Sequence, residues 1–145
     1  MKALIQRVFE GRVTVAGDVV GEIGGGIVLL LGIDKGDDDA AVSRLVERVL
    51  GYRIFADEAG HMNLSLTDVA GELLVVSQFT LAANTRKGTR PSFSSAASPQ
   101  QAEVLYERFV DLARMQLGTV ATGQFGADMR VDIAGDGPVT FLLGV

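Results

Sequence analysis

The feature that most constrains the fold is the run Ile27-Val28-Leu29-Leu30-Leu31, apolar at every position. Successive side chains of a strand point to opposite faces, so a strand without a polar position must be covered on both. The run therefore reads as a central strand. Leu73 to Phe79 reads as a second buried strand, and Gly24-Gly25-Gly26 as a tight turn entering the first.

The remaining elements follow from periodicity and punctuation. Residues 2 to 8 alternate as a first strand. Arg12 to Ala16 and Val19 to Ile23 form a hairpin around Gly17-Asp18. Asp37-Asp38-Asp39 starts a helix whose stripe is Val42, Leu45, Val46, Val49 and Leu50, ended by Gly51. Tyr52 to Phe55 is a short strand. Ser98, Pro99 and Gln101 open a second helix with a capping box. Its stripe runs Ala102, Leu105, Tyr106, Phe109, Leu112, Ala113, and Gly118 stops it. Met129 to Ile133 and Val139 to Leu143 are two closing strands. Several strands, two helices and short connections indicate one α/β or α+β domain over residues 1–145.

The residue inventory excludes most hydrolytic chemistry. There is no cysteine, so no disulfide, thiolate nucleophile or cysteine-ligated metal. The one histidine, His61, sits in a loop-like stretch without a nucleophile-elbow motif. A zinc site normally needs two or three His or Cys ligands. The acidic run 37–39 is explained by a helix start, so no metal and no cofactor are expected. Gly24-Gly25-Gly26 lacks the lysine of a phosphate loop. No run is long enough to span a bilayer, and the opening MKALIQRV lacks a signal-peptide core, so a cytoplasmic address is expected. A net charge of −5 argues against a grip on long nucleic acid, including DNA. The densest basic patch, Arg86-Lys87-Gly88-Thr89-Arg90, reads by itself as a solvated loop.

Two polar segments lie at the ends of apolar strands: Ser77-Gln78-Phe79-Thr80-Leu81 and Gly137-Pro138-Val139-Thr140. Together with Ile5-Gln6-Arg7-Val8, Lys87-Gly88-x-Arg90-Pro91-Ser92-Phe93 and Gly123-x-Phe125-Gly126-Ala127-x-Met129, in that family's order, they resemble the D-aminoacyl-tRNA deacylase (D-tyrosyl-tRNA deacylase) family. One departure is Gly135, where many members carry Asn; it bears on how the Gly-Pro turn is braced.

The resemblance implies a partly barrel-like mixed sheet packed with two main helices, assembled as a homodimer. It implies hydrolysis of the ester of D-aminoacyl-tRNA, and removal of glycine mischarged on tRNA(Ala). It implies catalytic roles for Ser77, Gln78, Phe79 and Thr80, with backbone N–H groups of Phe79 and Thr80 as oxyanion donors. A cis Gly137-Pro138 from the partner subunit would reject L-aminoacyl groups by shape, with Arg7 bracing that loop across the interface. Phe125, Gly126, Ala127 and Met129, with Lys87 and Arg90, would hold the tRNA 3′ end. Two routes stay open: Thr80 as nucleophile, or hydrolysis assisted by the tRNA's own 2′-hydroxyl. A non-catalytic binding module and a general small-molecule esterase are the rival readings.

Overall fold

The computed structural model describes residues 1–145. Its strands are β1 (Lys2–Val15), β2 (Asp18–Ile23), β3 (Gly26–Gly32), β4 (Phe55–Ala56), β5 (Met62–Leu64), β6 (Glu72–Ser77), β7 (Val120–Thr122) and β8 (Arg130–Gly144). The helices are α1 (Asp39–Leu50) and α2 (Pro99–Arg114). One mixed sheet runs β2-β1-β3-β6-β7, with β8 on the other side of β1. The first half of β1 pairs antiparallel with β3, and its second half with β2. β3, β6 and β7 are parallel, joined by crossovers that carry α1 and α2. At Gly21 a side chain would sit 2.2 Å from the Thr122 carbonyl. That approach of β2 to β7 nearly closes the sheet into a barrel.

The all-apolar run is central, as its sequence requires. Ile27, Leu29 and Leu31 face one core cluster with Val42, Leu45, Val46 and Val49 of α1 and with Leu105 and Phe109 of α2. Val28 turns the other way, to a smaller cluster with Val8, Val13, Ile23, Leu74 and Val76. Asp38 caps α1, its carboxylate accepting from the Ala41 N–H at 2.8 Å. Asp39 adds negative charge in the first turn. Asp37 instead pairs with the Met1 amine at 2.6 Å and accepts from the Asp34 N–H.

Several local expectations are corrected. The first hairpin turns at Ala16-Gly17, not Gly17-Asp18. Both residues have positive φ, +49° and +88°, the pair a twisted two-residue turn demands. Only Phe55 of the expected Tyr52–Phe55 strand is in a ladder, and the carbonyl of Ile54 accepts from Arg7 Nη1 at 2.6 Å. The capping box of α2 is half formed. Ser98 Oγ accepts from the Gln101 N–H, but Gln101 Nε2 donates to the carbonyls of Lys35 and Asp37. α2 ends at Arg114, before Gly118. The two expected closing strands are one continuous β8.

β6 stops at Ser77, so the strand does not reach Phe79. The Gln78 N–H makes a last sheet bond to the Leu31 carbonyl at 2.8 Å. β3 ends at Gly32, whose bare Cα lies under this crossing; a Cβ there would meet Leu81 Cβ at 2.7 Å. With no strand left to pair, residues Phe79–Ala82 coil into a 3₁₀ turn.

Candidate active site

A cavity of about 440 Å³ opens where β6 ends. Ser77, Gln78 and Phe79 form one side, and Phe125, Gly126, Ala127, Asp128, Met129 and Val131 another. Leu31, Ile33, Val76, Ala96, Ala97, Pro99 and Ala102 complete an apolar lining. The fold thus joins two segments that lie some fifty residues apart in sequence. Sequence reasoning missed Asp128, the one charged residue of the lining, and the small residues Ala96 and Ala97; it read Ala102 only as part of the α2 stripe. Nothing in a short alanine segment announces a wall.

The 3₁₀ turn gives the mouth its polarity. Its first internal bond is donated by the Leu81 N–H to the Gln78 carbonyl. The N–H groups of Phe79 and Thr80 therefore precede the turn's own bonding, as at any helical start. Both residues are exposed. Past the end of the strand Gln78 and Thr80 are in direct contact: Gln78 Nε2 donates to Thr80 Oγ1. An amide is no base, so this contact cannot activate the hydroxyl. Thr80 itself lies outside the cavity lining. His61 belongs to the β4–β5 turn, where the Asp57 carboxylate accepts from the N–H groups of Ala59 and His61 and from Asn63 Nδ2. Those bonds, the Asn63 side chain first, hold the Asp57 carboxyl below its usual range.

The wall behind Phe125 is braced from α2. Tyr106 packs its ring against Phe125 at 5.8 Å between centroids. Its hydroxyl donates to the Val75 carbonyl at 2.9 Å. Burial pushes the Tyr106 phenol up to about 12.

Gly137 and Pro138 line no part of this cavity. They sit on a bulge of β8. Gln6 pairs with Thr140 and Val8 with Gly135, so two steps along β1 face five along β8. Gly137 and Pro138 are exposed, and their peptide bond is cis. Gly137 has φ +143°, and a Cβ there would meet the Val139 nitrogen at 2.5 Å, so only glycine fits. Arg7 holds the base of the bulge, with Nε 3.0 Å from Asp136 Oδ2 and Nη1 on the Ile54 carbonyl. These contacts lie within one protomer. Gly135 has open space where a side chain would project.

Between the 3₁₀ turn and α2 an arm projects, closed by paired bonds between Asn84 and Ser92. Its tip carries Arg86, Lys87 and Arg90, all exposed and none in an ion pair. Lys87 and Arg90 are outside the cavity lining. A second depression, about 660 Å³, is edged by Glu10, Glu22, Glu72 and Asp132. Its four carboxylates make it a poor seat for phosphate. No helix is long and apolar enough to cross a membrane.

Comparison with known proteins places the chain in a family. The family described as D-Tyr-tRNA(Tyr) deacylase matches residues 4–144. The chain is 61% identical to a D-aminoacyl-tRNA deacylase of Pseudoalteromonas translucida (strain TAC 125), and 57% identical to one of Escherichia coli O1:K1 / APEC; each match covers 100% of both chains. Among solved structures, a c-Myc DNA Unwinding Element Binding Protein superposes with TM-score 0.96 and 41% identity, over 100% of this chain and 99% of that one. A structure described as a probable eukaryotic D-amino acid tRNA deacylase shares the fold, with TM-score 0.89 and 18% identity, over 99% and 98%. The chain belongs to the D-Tyr-tRNA(Tyr) deacylase family.

Proposed function

We propose that this chain hydrolyses the ester joining a D-amino acid to the terminal ribose of tRNA, in the cytoplasm and as a homodimer. The observation that carries this reading is the pair of N–H groups of Phe79 and Thr80 beside a nucleoside-sized cavity whose lining holds no histidine, lysine or cysteine. Such donors suit the oxygen that gains charge when water adds to the ester carbonyl. The proton lost by water ends on the ribose oxygen as the acyl C–O bond breaks. No imidazole stands at the site, Thr80 Oγ1 meets only an amide, and the one carboxylate of the lining, Asp128, belongs to the Phe125–Val131 wall; we assign the relay to the adjacent 2′-hydroxyl of the substrate. Ser77 and Gln78 orient the aminoacyl group, and Phe125, Gly126, Ala127 and Met129 receive the adenosine. Fixing these partners can supply several kcal/mol of the barrier reduction, on the order of 7 in favourable cases.

Selection of hand falls to Gly137-Pro138 of a second protomer. The dipeptide is exposed, stands out from β8 on a bulge, and lines no part of its own cavity. Seated at a neighbour's cavity, its backbone would occupy the space an L side chain needs. Glycine has no side chain to clash, so on this reading the chain also removes glycine mischarged on tRNA(Ala). Lys87 and Arg90 lie on the arm beside the mouth and meet the phosphates of the 3′ end.

The test is ester loss from matched D- and L-tyrosyl-tRNA. Rapid loss of the D form alone supports the reading; equal rates defeat the filter. For the chemistry, Thr80→Ala retains substantial activity, while a substrate lacking the terminal 2′-hydroxyl reacts poorly. The opposite pair of results assigns the attack to Thr80. An active monomer defeats the second-protomer arrangement.

A further inference from the structure

In the proposed function the cavity takes one nucleoside and an aminoacyl group, yet the substrate is a polymer. At about 440 Å³ it lies toward the small end of ligand pockets. The nucleotide before the terminal adenosine must therefore lie outside it, on the rim. Two aromatic rings stand there. Phe79 edges the cavity and is 61% exposed; Phe93, at the base of the arm, is 41% exposed. Their centroids are 5.1 Å apart at a 50° tilt. The pair is packed on itself but leaves ring surface in water, flush with a site expected to receive RNA.

The surroundings fit the same occupant. Phe93 follows directly on the arm's closing bridge, so its position is tied to the tip. The tip puts three unpaired cations within five residues of a chain whose net charge is −5. Asn84 Oδ1 accepts from the Arg86 N–H at 3.0 Å and shapes the turn that displays them. An aromatic surface beside local positive charge is how proteins bind single-stranded nucleic acid without reading its sequence.

We propose that Phe79 and Phe93 form a stacking seat for the base of the penultimate nucleotide, with Arg86, Lys87 and Arg90 holding the phosphates that lead away from it. This deepens the proposed function and rests on it. The seat explains how an acidic protein engages RNA: it grips a few nucleotides through stacking and one small basic tip. It also separates two tasks. The cavity reads the aminoacyl group, and the rim holds the strand.

A double-substitution cycle tests it. One change is Phe93→Ala. The other is D-tyrosyl-tRNA whose penultimate nucleotide lacks its base. Each alone is expected to lower kcat/KM about tenfold, within the range for loss of one base–aromatic stack. Together they lower it no further than either alone, because both remove the same contact. Phe93→Tyr, which keeps the ring, restores the wild-type value. Multiplying losses, or no loss from either change, overturn the seat. A loss for Phe93→Ala that tracks dissociation of the dimer in sedimentation also overturns it, making the pair a subunit contact. Wild-type protein inactive on intact D-tyrosyl-tRNA defeats the functional reading itself, and the seat with it.

Discussion

Tyr106→Phe gives a graded test of how the wall of the cavity is held. The side chain is buried, and its hydroxyl donates to the Val75 carbonyl at 2.9 Å. That carbonyl also accepts from the Gly123 N–H at 3.0 Å. Deleting the hydroxyl therefore leaves no orphaned acceptor. The loss at pH 7 is that of one net hydrogen bond, about 1 kcal/mol, not the larger penalty for an unsatisfied group. In a domain of this size it lowers Tm by about 3 °C. Raising the pH reverses the comparison. The phenol titrates near 10 when unfolded and is pushed up to about 12 in the fold, chiefly by burial and slightly opposed by Arg114. A raised value means the tyrosine's contribution is complete below pH 10 and is lost as the pH climbs toward 12. At pH 11 that loss is about 1.4 kcal/mol for the wild type and zero for the variant, so the two stabilities meet near pH 11. Urea unfolding at fixed protein concentration, at pH 7, 10 and 11, measures the gap. A deficit of 3 kcal/mol or more at pH 7, or one that stays constant to pH 11, refutes the argument.

Arg7→Ala removes both the Asp136 pair and the donor to Ile54, loosening the bulge. The expected result is a drop in the ratio of D- to L-tyrosyl-tRNA hydrolysis, with about 2 kcal/mol lost in urea unfolding. Gly26→Ala places a Cβ 1.9 Å from the Glu72 carbonyl oxygen between two paired strands. It should cost about 3 kcal/mol or more, read by calorimetry. Gly135→Asn, with open space at its Cβ, leaves Tm within about 2 °C of wild type.

Much of the fold was legible because its strongest signals are local. Ile27–Leu31 could only be a covered strand, and Asp38 and Ser98 cap the helices their sequences announce. The candidate site was proposed from resemblance more than from periodicity. A strand from Leu73 to Phe79 assumed pairing past Ser77 that the end of β3 does not permit. The free N–H groups survive that error because the start of a 3₁₀ turn leaves them as unpaired as a strand end would. Gln101 shows the other limit. Its spacing fits a capping box, but the carbonyls of Lys35 and Asp37, distant in sequence, compete for its amide. Local rules cannot see such competitors.

β8 is stitched to β1 on both flanks of its protruding segment, from Thr140 onward and again from Gly135 back to Arg130. A tip mounted this way has no hinge. Shifting it by one residue would force one flank to slide, and a sliding strand exchanges its inward and outward side chains. Val139 and Leu143 would then leave the core they now help to fill. The reach of the Gly137-Pro138 tip is thus inherited from the weave beneath it, and altering its aim means reweaving the sheet.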